Sequence, residues 1–393
     1  MVQAPPANLV VLRDRGAVPL APDPASRSAQ ESPELPVFKE LLTKWLRHKL
    51  ADLKERFGEA SREYRALARQ YVKDPREDDE MAEQNAKHYE AGVTSPQDER
   101  GLPGLERFYR RAMVIEPTLS CAAHCRYCLR AYYAPKFTMS DAQMVAVARY
   151  CGSPPVSDHL REVLITGGDP LVMPHRLETL FGALIEHAPN VQTIRLATRI
   201  PTQDPLRIDS DVLRLFHNKP SLRFELATQI NHPVELFPEV VDVFKRIMDL
   251  GVKVYAQNVL LRGVNDDVPT LVELYDTIRR HHLEAHYLFH AIPLRGTHHL
   301  RTSLAKALTL ATRLTSGGNI SGRAKPMFAV MTDIGKVVMY HGTIVRREGR
   351  RILLQTGYRA EDRLAWNPGW QVPASVEFDD EGYLRVWYLD GED

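Results

Sequence analysis

From residue 112 onward, short β-rich runs alternate with stretches whose apolar residues recur at helical spacing. This alternation predicts an α/β protein with a parallel sheet built from six strand–helix repeats. The predicted strands are 112–116, 162–166, 193–197, 222–228, 252–261 and 285–292. The predicted helices fall near 140–151, 175–187, 209–217, 235–250, 268–281 and 300–315, and Ser140 with Gln143 predicts a capping box at the first. In such a sheet the functional residues are expected at the carboxyl ends of the strands.

The region before the first strand has a different composition. Residues 1–35 are rich in Pro, Ala and Ser and are predicted to be a flexible tail. Residues 36–104 are charged, with one apolar stripe at helical steps, which predicts a helical cap on the sheet or a subunit contact in preference to a nucleic-acid-binding helix. The stripe consists of Leu41, Leu42, Trp45, Leu46, Leu50, Leu53 and Phe57. A linker containing Gly101, Pro103 and Gly104 ends this region.

The segment 326–393 is predicted to be mostly β, which leaves 105–325 for the strand–helix repeats. Apolar runs at 328–331 and 337–340 flank a glycine-containing turn, and runs at 374–378 and 383–389 flank another. Each pair predicts a hairpin. The sequence alone assigns no chemistry to this segment.

Composition and charge exclude several functional classes. The chain has 51 basic and 50 acidic residues among 393, so no global field attracts nucleic acid or an anionic membrane. No apolar run approaches the 18 residues or so that a spanning helix needs, and the amino-terminal stretch lacks the apolar core of a secretory signal. With only four cysteines, three of them clustered, the expected compartment is the reducing cytoplasm.

Three of the four cysteines lie within eight residues, as Cys121, Cys125 and Cys128. A cubane iron–sulfur cluster needs a thiolate for each iron, so three cysteines on one loop would leave the fourth iron open to another ligand. Cys151, 23 residues beyond Cys128 at a predicted helix end, is poorly placed to complete the set. A zinc site with His124 as fourth ligand, or free structural thiols, remain as alternatives, although His124 lies between two of the cysteines.

The C-x3-C-x2-C spacing, with Tyr127 just before the last cysteine, resembles the radical S-adenosylmethionine (SAM) superfamily. Four later segments, in order and spacing, resemble the lysine 2,3-aminomutase family over about residues 105–345. They are 164–170 (LITGGDP), 195–201 (RLATRIP), 231–233 (NHP) and 257–266 (QNVLLRGVND). The resemblance implies a partial (β/α)6 TIM-like barrel, with a helical segment before it and a β-rich extension after it.

The resemblance also implies cofactor contacts. Cys121, Cys125 and Cys128 would hold a [4Fe-4S] cluster whose reduction cleaves SAM to a 5′-deoxyadenosyl radical. Gly167, Gly168 and Asp169 would bind the amino group of SAM, although glycines here also suit a tight turn after a strand. Thr198 and Arg199 would contact the SAM carboxylate, and Gln257, with the backbone at 259–260, would line the adenine and ribose. Tyr127 belongs to the same cofactor region.

Arg130 and Lys336 are implied to act on the substrate. In the family an arginine two residues after the last cysteine pairs with the substrate carboxylate, which suits a bidentate guanidinium; a solvated loop arginine is the alternative. The family binds pyridoxal 5′-phosphate (PLP) through a lysine after a run of glycines. That run is missing here, and Lys336 in a shortened turn is the best match, with a solvated hairpin lysine as the alternative. Lys325 is a weaker candidate because it precedes the strand.

Two positions bear on the charge of the substrate side chain. Family members that use lysine place aspartates where this chain has Ile292 and Met331, and an apolar pair cannot neutralise a buried ammonium group. L-Lysine is therefore a doubtful substrate. His290 could contact the substrate, although a buried core histidine is the simpler interpretation.

The sequence therefore predicts a cytoplasmic radical SAM enzyme that acts on a small amino-acid-like substrate. The leading hypothesis is a PLP-dependent 2,3-aminomutase with a substrate other than L-lysine. Alternatives are a PLP-independent epimerase, dehydrogenase or eliminase, and a non-catalytic scaffold that keeps a cluster. The enzyme would need an external reductant of the flavodoxin or ferredoxin type and is expected to be a homo-oligomer, with no nucleic-acid or membrane partner.

Overall fold

The structure is a computed structural model that describes residues 38–78, 102, 104–130, 137–217, 221–294, 296–340 and 342–393. The predicted flexible tail, Gly101 and Pro103 lie outside the described residues. None of the helices in the described part of the chain combines the length and apolar character that crossing a bilayer requires.

Two α-helices and a short 3-10 helix (Pro75–Asp78) form the described amino-terminal segment, residues 38–78. The α-helices are α1 (Lys44–Phe57) and α2 (Arg62–Tyr71). Each begins at a side chain that accepts a backbone N–H bond, Thr43 for α1 and Ser61 for α2, because the first N–H groups of a helix lack intrahelical partners. The predicted apolar stripe is buried at its centre, at Trp45, Leu46, Leu50 and Leu53, and is exposed at Leu41 and Phe57.

A nine-stranded sheet follows, with the strands in chain order from one edge to the other. The strands are β1 (Leu105–Glu106), β2 (Ala112–Thr118), β3 (Glu162–Gly167), β4 (Thr193–Ala197), β5 (Arg223–Gln229), β6 (Lys253–Leu260), β7 (Glu284–His290), β8 (Met327–Thr332) and β9 (Gly335–Val338). Strands β2 to β8 are parallel, whereas β1 and β9 are antiparallel edge strands. The six predicted strands are confirmed as β2 to β7, and the sheet curls into a half-barrel.

Helices cross over between the parallel strands and cover the outer face of the sheet. They are α3 (Asp141–Cys151), α4 (Val156–His159), α5 (Pro174–His187), α6 (Ile200–Gln203), α7 (Ser210–Arg214), α8 (Pro238–Met248), α9 (Val268–Arg280) and α10 (Leu304–Ser316). The predicted capping box at Ser140 and Gln143 is confirmed. Alternate strand residues such as Ile115, Val163 and Ile194 are fully buried beneath these helices, and each such burial contributes about 1.5–3 kcal/mol.

The hairpin β8–β9 was predicted as part of the carboxyl-terminal β-rich segment, without an assignment to a sheet. In the structure β8 pairs in parallel with β7, Phe328 opposite Leu288, and so extends the main sheet. The hairpin pattern was predicted correctly, but local pattern cannot reveal which sheet edge a hairpin joins.

The rest of the carboxyl-terminal segment forms a separate four-stranded antiparallel sheet. Its elements are β10 (Ile344–Glu348), β11 (Arg351–Arg359), α11 (Ala360–Trp366), β12 (Val376–Phe378) and β13 (Tyr383–Leu389), with strand order β10-β11-β13-β12. The predicted second hairpin is confirmed as β12–β13. Arg301, 2% exposed, joins the two sheets by donating to the carbonyl oxygens of Ala291 and Leu389.

Candidate functional site

One cavity of about 280 Å³ lies at the carboxyl ends of the parallel strands. Every site residue that the sequence predicted lines it, although these residues come from five separate parts of the chain. They are Cys121, Cys125, Tyr127, Cys128, Arg130, Gly167, Gly168, Asp169, Thr198, Arg199, Gln257 and Lys336. The strand ends therefore bring together the set that the resemblance implied.

The three clustered cysteines lie on the loop that follows β2, and all three are partly exposed. Backbone N–H of Cys128 donates to the carbonyl of Cys125 at 3.0 Å, and N–H of Arg130 donates to Sγ of Cys128 at 3.3 Å. Cys151 is fully buried at the end of α3 and lies in the apolar core. The fourth cysteine is thus away from the cavity, as the sequence predicted.

A single-ion zinc site is not supported. Among the described residues, no three His, Cys, Asp or Glu side chains converge closely enough to hold one metal ion. His124 stacks on the ring of Phe38, and its Nδ1 lies 2.7 Å from the carbonyl oxygen of Lys39. Three partly exposed thiols that line one cavity fit a cubane cluster with one open iron instead.

The amino-terminal segment holds the cysteine loop from behind. Backbone N–H of His124 donates to Leu41 and that of Arg126 donates to Gln70, at 2.9 and 2.8 Å. The Arg126 guanidinium is fully buried and pairs through two nitrogens with the carboxylate of Glu77. The helical region is therefore part of the site's support, which refines the expected cap on the barrel.

Gly167 and Gly168 let the end of β3 approach the start of the cysteine loop. Gly167 has a φ of +112°, and a Cβ on it would lie 2.3 Å from the carbonyl oxygen of Thr118; a Cβ on Gly168 would lie 2.2 Å from that of Ser120. The backbones are joined by hydrogen bonds from Gly168 to Thr118 and from Asp169 to Ser120, at 2.7 and 2.8 Å. The glycines thus fix the position of the loop relative to the strand end.

Asp169 connects the ends of β3 and β4. Its carboxylate accepts from the hydroxyl of Thr198 at 2.7 and 2.9 Å, from N–H of Arg199 at 2.7 Å and from N–H of Leu171 at 3.0 Å. Burial raises the pKa of Asp169. The Asp169 carboxylate and the Thr198 hydroxyl are thus hydrogen-bonded to each other, and both residues line the cavity.

Arg199 lies beneath the cysteine loop and is 8% exposed. Its Nη1 donates to Sγ of Cys125 at 3.1 Å and to the hydroxyl of Tyr127, and its Nη2 pairs with the carboxylate of Glu235 at 2.5 Å. Gln70 Oε1 lies 3.4 Å from Nη2. The guanidinium charge is therefore already matched by a buried carboxylate.

Asn231, from the third sequence segment, ties this network to β6. Its side-chain amide donates to the Tyr127 hydroxyl at 2.7 Å and to Gln70 Oε1 at 3.0 Å, and its Oδ1 accepts from N–H of Val259 at 2.7 Å. On the same strand, Nε2 of Gln257 lies 3.4 Å from Nδ1 of His286. Gln257 and Val259 thus form a cavity wall whose backbone is fixed.

Arg130 forms ion pairs with two carboxylates, Glu106 at 3.5 Å and the fully buried Glu116. Arg130 is therefore not a solvated loop residue, and its guanidinium already has two acidic partners. Burial raises the pKa of Glu116 to about 8, opposed by Arg130 and reinforced by Glu106; burial also raises the pKa of Glu106. Two carboxylates that share one guanidinium cannot both ionise cheaply, which favours the protonated form of Glu116.

Lys336 lies in the cavity at the start of β9. Its Nζ lies 5.1 Å from the ring centroids of both Tyr109 and Tyr287. Backbone groups hold it too, since the Tyr109 hydroxyl accepts from its N–H at 3.1 Å and the Tyr358 hydroxyl donates to its carbonyl at 2.8 Å. Burial lowers the pKa of Lys336 to about 8, with Arg195 contributing. Lys336 is therefore not a solvated hairpin lysine. Lys325, the weaker candidate, is exposed.

Ile292 and Met331 also line the cavity, so the two positions considered for substrate charge present apolar side chains to it. His290 is fully buried, with Nδ1 2.7 Å from the Tyr388 hydroxyl and Nε2 2.9 Å from the carbonyl of Thr302. Burial lowers its pKa to about 3. Both ring nitrogens are engaged, which makes it a core histidine.

Sequence reasoning missed several residues of the site. Glu116 carried a signal, because a carboxylate inside an otherwise apolar strand needs a partner. Tyr109 and Tyr287 carried none beyond aromatic character. Gln70 and Glu235 are 165 residues apart in the chain, yet Nε2 of Gln70 donates to Oε1 of Glu235 at 3.1 Å. Only the fold reveals that these two residues are close.

Comparisons with known proteins relate the chain to one superfamily. The model of the radical SAM superfamily matches residues 115–275. The chain is 30% identical over 288 residues to a putative L-lysine 2,3-aminomutase of Aquifex aeolicus, covering 70% of this chain and 74% of that one. It is 30% identical over 259 residues to L-lysine 2,3-aminomutase of Fusobacterium nucleatum, covering 65% of this chain and 59% of that one.

Two solved structures are also similar. One is described as native anSMEcpe with bound AdoMet and Cp18Cys peptide, with a TM-score of 0.43, 14% identity, and coverage of 56% of this chain and 64% of that one. The other is a radical SAM methyltransferase from Sphaerobacter thermophilus, with a TM-score of 0.42, 16% identity, and coverage of 76% and 95%.

The curled parallel sheet and the matching model define a radical SAM enzyme. Within that superfamily, the chain belongs to the lysine 2,3-aminomutase family.

Proposed function

We propose that this radical SAM enzyme is a PLP-dependent 2,3-aminomutase for an amino acid other than L-lysine. The observation that supports it best is that the amine of Lys336 and the three clustered cysteines line the same cavity. An imine-forming lysine and a cluster-binding loop are both needed for an amino shift by a radical route, and no local sequence constraint requires them to meet.

When bound, the cluster and SAM would supply a carbon-centred radical, and PLP would supply a carbonyl carbon that holds the substrate nitrogen. The chain's own groups suit them. Cys121, Cys125 and Cys128 would hold three irons, and backbone at Gly167 and Gly168, with Gln257, would line the SAM site. A cluster held by thiolates favours a reducing compartment, so the proposal places the enzyme in the cytoplasm, with a flavodoxin or ferredoxin as electron donor.

Lys336 is prepared to act as a nucleophile. Only the neutral amine attacks a carbonyl, and a pKa of about 8 makes a substantial fraction of it neutral at physiological pH. The rings of Tyr109 and Tyr287 exclude water on two sides while stabilising the residual positive charge. The same environment suits covalent attachment of a cofactor aldehyde.

Arg130 would take the substrate carboxylate. Glu106 and Glu116 already surround it, so an incoming carboxylate is accommodated only while Glu116 keeps its proton. The side chains of Ile292 and Met331 in the same cavity offer no carboxylate to a distal ammonium, and leaving such a charge unpaired costs several kcal/mol. The pocket therefore favours an amino acid with an uncharged side chain.

One observation favours the PLP-independent alternative, in which the enzyme is an epimerase, dehydrogenase or eliminase. A PLP phosphate needs cationic partners. Arg195, whose charge helps to lower the pKa of Lys336, is already paired with Glu162 at 3.1 Å and Glu225 at 2.6 Å. In that case Lys336 would serve as an acid or base near the substrate.

The deciding experiment is anaerobic reconstitution with iron, sulfide and PLP, followed by incubation of single amino acids with SAM and a reductant. Formation of 5′-deoxyadenosine together with a β-amino acid would support the aminomutase. Deoxyadenosine with an epimerised or dehydrogenated product, and no pyridoxyl group on the protein, would select the alternative. Protein that takes up no cluster would refute both.

A further inference from the structure

Arg199 donates a charged hydrogen bond to a cysteine sulfur. Its Nη1 lies 3.1 Å from Sγ of Cys125, and a second, neutral donor, Nε2 of Gln203, lies 3.4 Å from the same sulfur. Beneath the guanidinium, the ring of Tyr71 lies 5.1 Å away, and Tyr71 is fully buried. The donor is therefore fixed in place and shielded from water.

The Arg199 charge is poorly available to a ligand carboxylate. Glu235, whose side chain is 1% exposed, lies 2.5 Å from Nη2. Glu235 is itself fixed, since its Oε1 accepts from Gln70 Nε2 at 3.1 Å and from N–H of Asn231 at 2.6 Å. A second carboxylate at the same guanidinium would have to displace or repel a buried anion, which is costly in a low-dielectric site.

We propose that Arg199 is a positioning residue that acts through Cys125, where its charged hydrogen bond raises the reduction potential of the cluster, instead of contacting the carboxylate of SAM. The inference rests on the proposed function, because it requires a cluster on Cys125. Hydrogen bonds to cluster sulfurs and the local net charge set the reduction potential. Reduction adds negative charge to the cluster, so a charged donor stabilises the reduced form more than the oxidised form.

Substitutions of Arg199, Gln203 and Glu235 test the direction in which the reduction potential shifts. Arg199→Gln removes the positive charge and Gln203→Leu removes a neutral donor, so both should lower the potential, Arg199→Gln by more. Glu235→Gln removes a buried negative charge beside Arg199 while keeping a hydrogen-bond acceptor, so it should raise the potential. A purely structural role does not predict opposite signs from neighbours in one network.

The experiment is an EPR-monitored redox titration of reconstituted protein without SAM. Arg199→Gln is expected to make one-electron reduction about tenfold less favourable, a fall of about 59 mV, while SAM affinity measured by equilibrium dialysis stays near that of the unmodified protein. Arg199→Lys keeps the positive charge but not the forked guanidinium, so its reduction potential should fall between those of the unmodified protein and Arg199→Gln. The control is Arg214→Gln, since Arg214 pairs with Asp211 on an exposed helix face.

Each outcome decides a point. Unchanged potentials across Arg199→Gln, Gln203→Leu and Glu235→Gln would overturn the inference, as would lost SAM affinity in Arg199→Gln at an unchanged potential. If Arg199→Gln fails to load, Arg199→Lys and Gln203→Leu provide the same comparison. Unmodified protein that takes up no cluster would instead refute the proposed function, so the two failures are distinguishable.

Discussion

Arg126, on the cysteine loop, and Glu77, in the amino-terminal segment, form an ion pair that solvent does not reach. Nε of Arg126 lies 2.9 Å from Oε1 of Glu77, and the two side chains are 0% and 3% exposed. Arg126 also donates to the carbonyls of Phe38 and Lys39 at 3.0 and 3.2 Å. This pair makes the loop that would carry the cluster dependent on a segment that lies outside the barrel.

Glu77→Gln should therefore weaken cluster retention. Breaking a buried ion pair on one side costs about 3–5 kcal/mol, and that cost falls on the loop holding the irons. Iron release to a chelator should accelerate by more than tenfold relative to unmodified protein. The matched control is Asp78→Asn, since Asp78 is 69% exposed and pairs with Lys73. Equal release rates for all three proteins would contradict this account.

The cysteines should separate into two groups. Cys121→Ala, Cys125→Ala and Cys128→Ala should each lose the cluster, whereas Cys151→Ala should retain about four irons per chain. The reason is placement, because Cys151 is buried in the apolar core at the end of α3. Iron and sulfide analysis after anaerobic reconstitution measures this, and normal loading in the triple variant would exclude the cluster.

Lys336 should react with amine reagents at lower pH than other lysines. With a pKa of about 8, its neutral fraction rises through pH 8 and levels off above it, whereas an ordinary lysine titrates near 10.4. With PLP present, borohydride should fix a pyridoxyl group on the peptide containing Lys336, and Lys336→Arg should abolish that label. Peptide mass spectrometry reads both, with exposed Lys325 as the internal comparison. Labelling of Lys325 alone would show that Lys336 has been misassigned.

Glu116 should make the unloaded protein less stable at alkaline pH. Its folded-state pKa of about 8 exceeds the ordinary value of 4.5, so between these two pH values the folded state binds more protons than the unfolded state. Stability is then highest below pH 4.5 with respect to this group and falls as pH rises to 8. The Tm difference between pH 6 and pH 9 should shrink in Glu116→Gln. Glu361→Gln is the control, because that side chain is 40% exposed. An unchanged Tm difference in Glu116→Gln would contradict the assignment.

L-Lysine should be a poor substrate. Ile292 and Met331 leave its ε-ammonium without a carboxylate, and several kcal/mol of unpaired charge corresponds to at least about a hundredfold in kcat/KM. Competition assays between lysine and amino acids of similar length with uncharged side chains measure this ratio. The variant Ile292→Asp should narrow it. Preferred turnover of lysine by the unmodified enzyme would overturn the specificity claim without touching the cofactor claim.

Sequence alone predicted much of the site, because the relevant information is local. The bounds of β4 were predicted to the residue, since strand periodicity and burial agree there, and the cysteine spacing is legible without a structure. The partners of Arg199 were not predictable. They come from Gln70, Cys125 and Glu235, which are brought together by the curl of the sheet and by helix docking. The same limit left open which sheet the β8–β9 hairpin joins.

The docking of the amino-terminal segment has a consequence for how the protein is made. Residues 38–78 are synthesised before the sheet, yet Gln70 reaches its partner Glu235 only after 165 further residues have been added. Long-range contacts of this kind close late, so the contact between Gln70 and Glu235 forms well after the cysteine loop has been synthesised. The buried network around Arg199, which includes both residues, can therefore be completed only once the chain beyond β5 is in place.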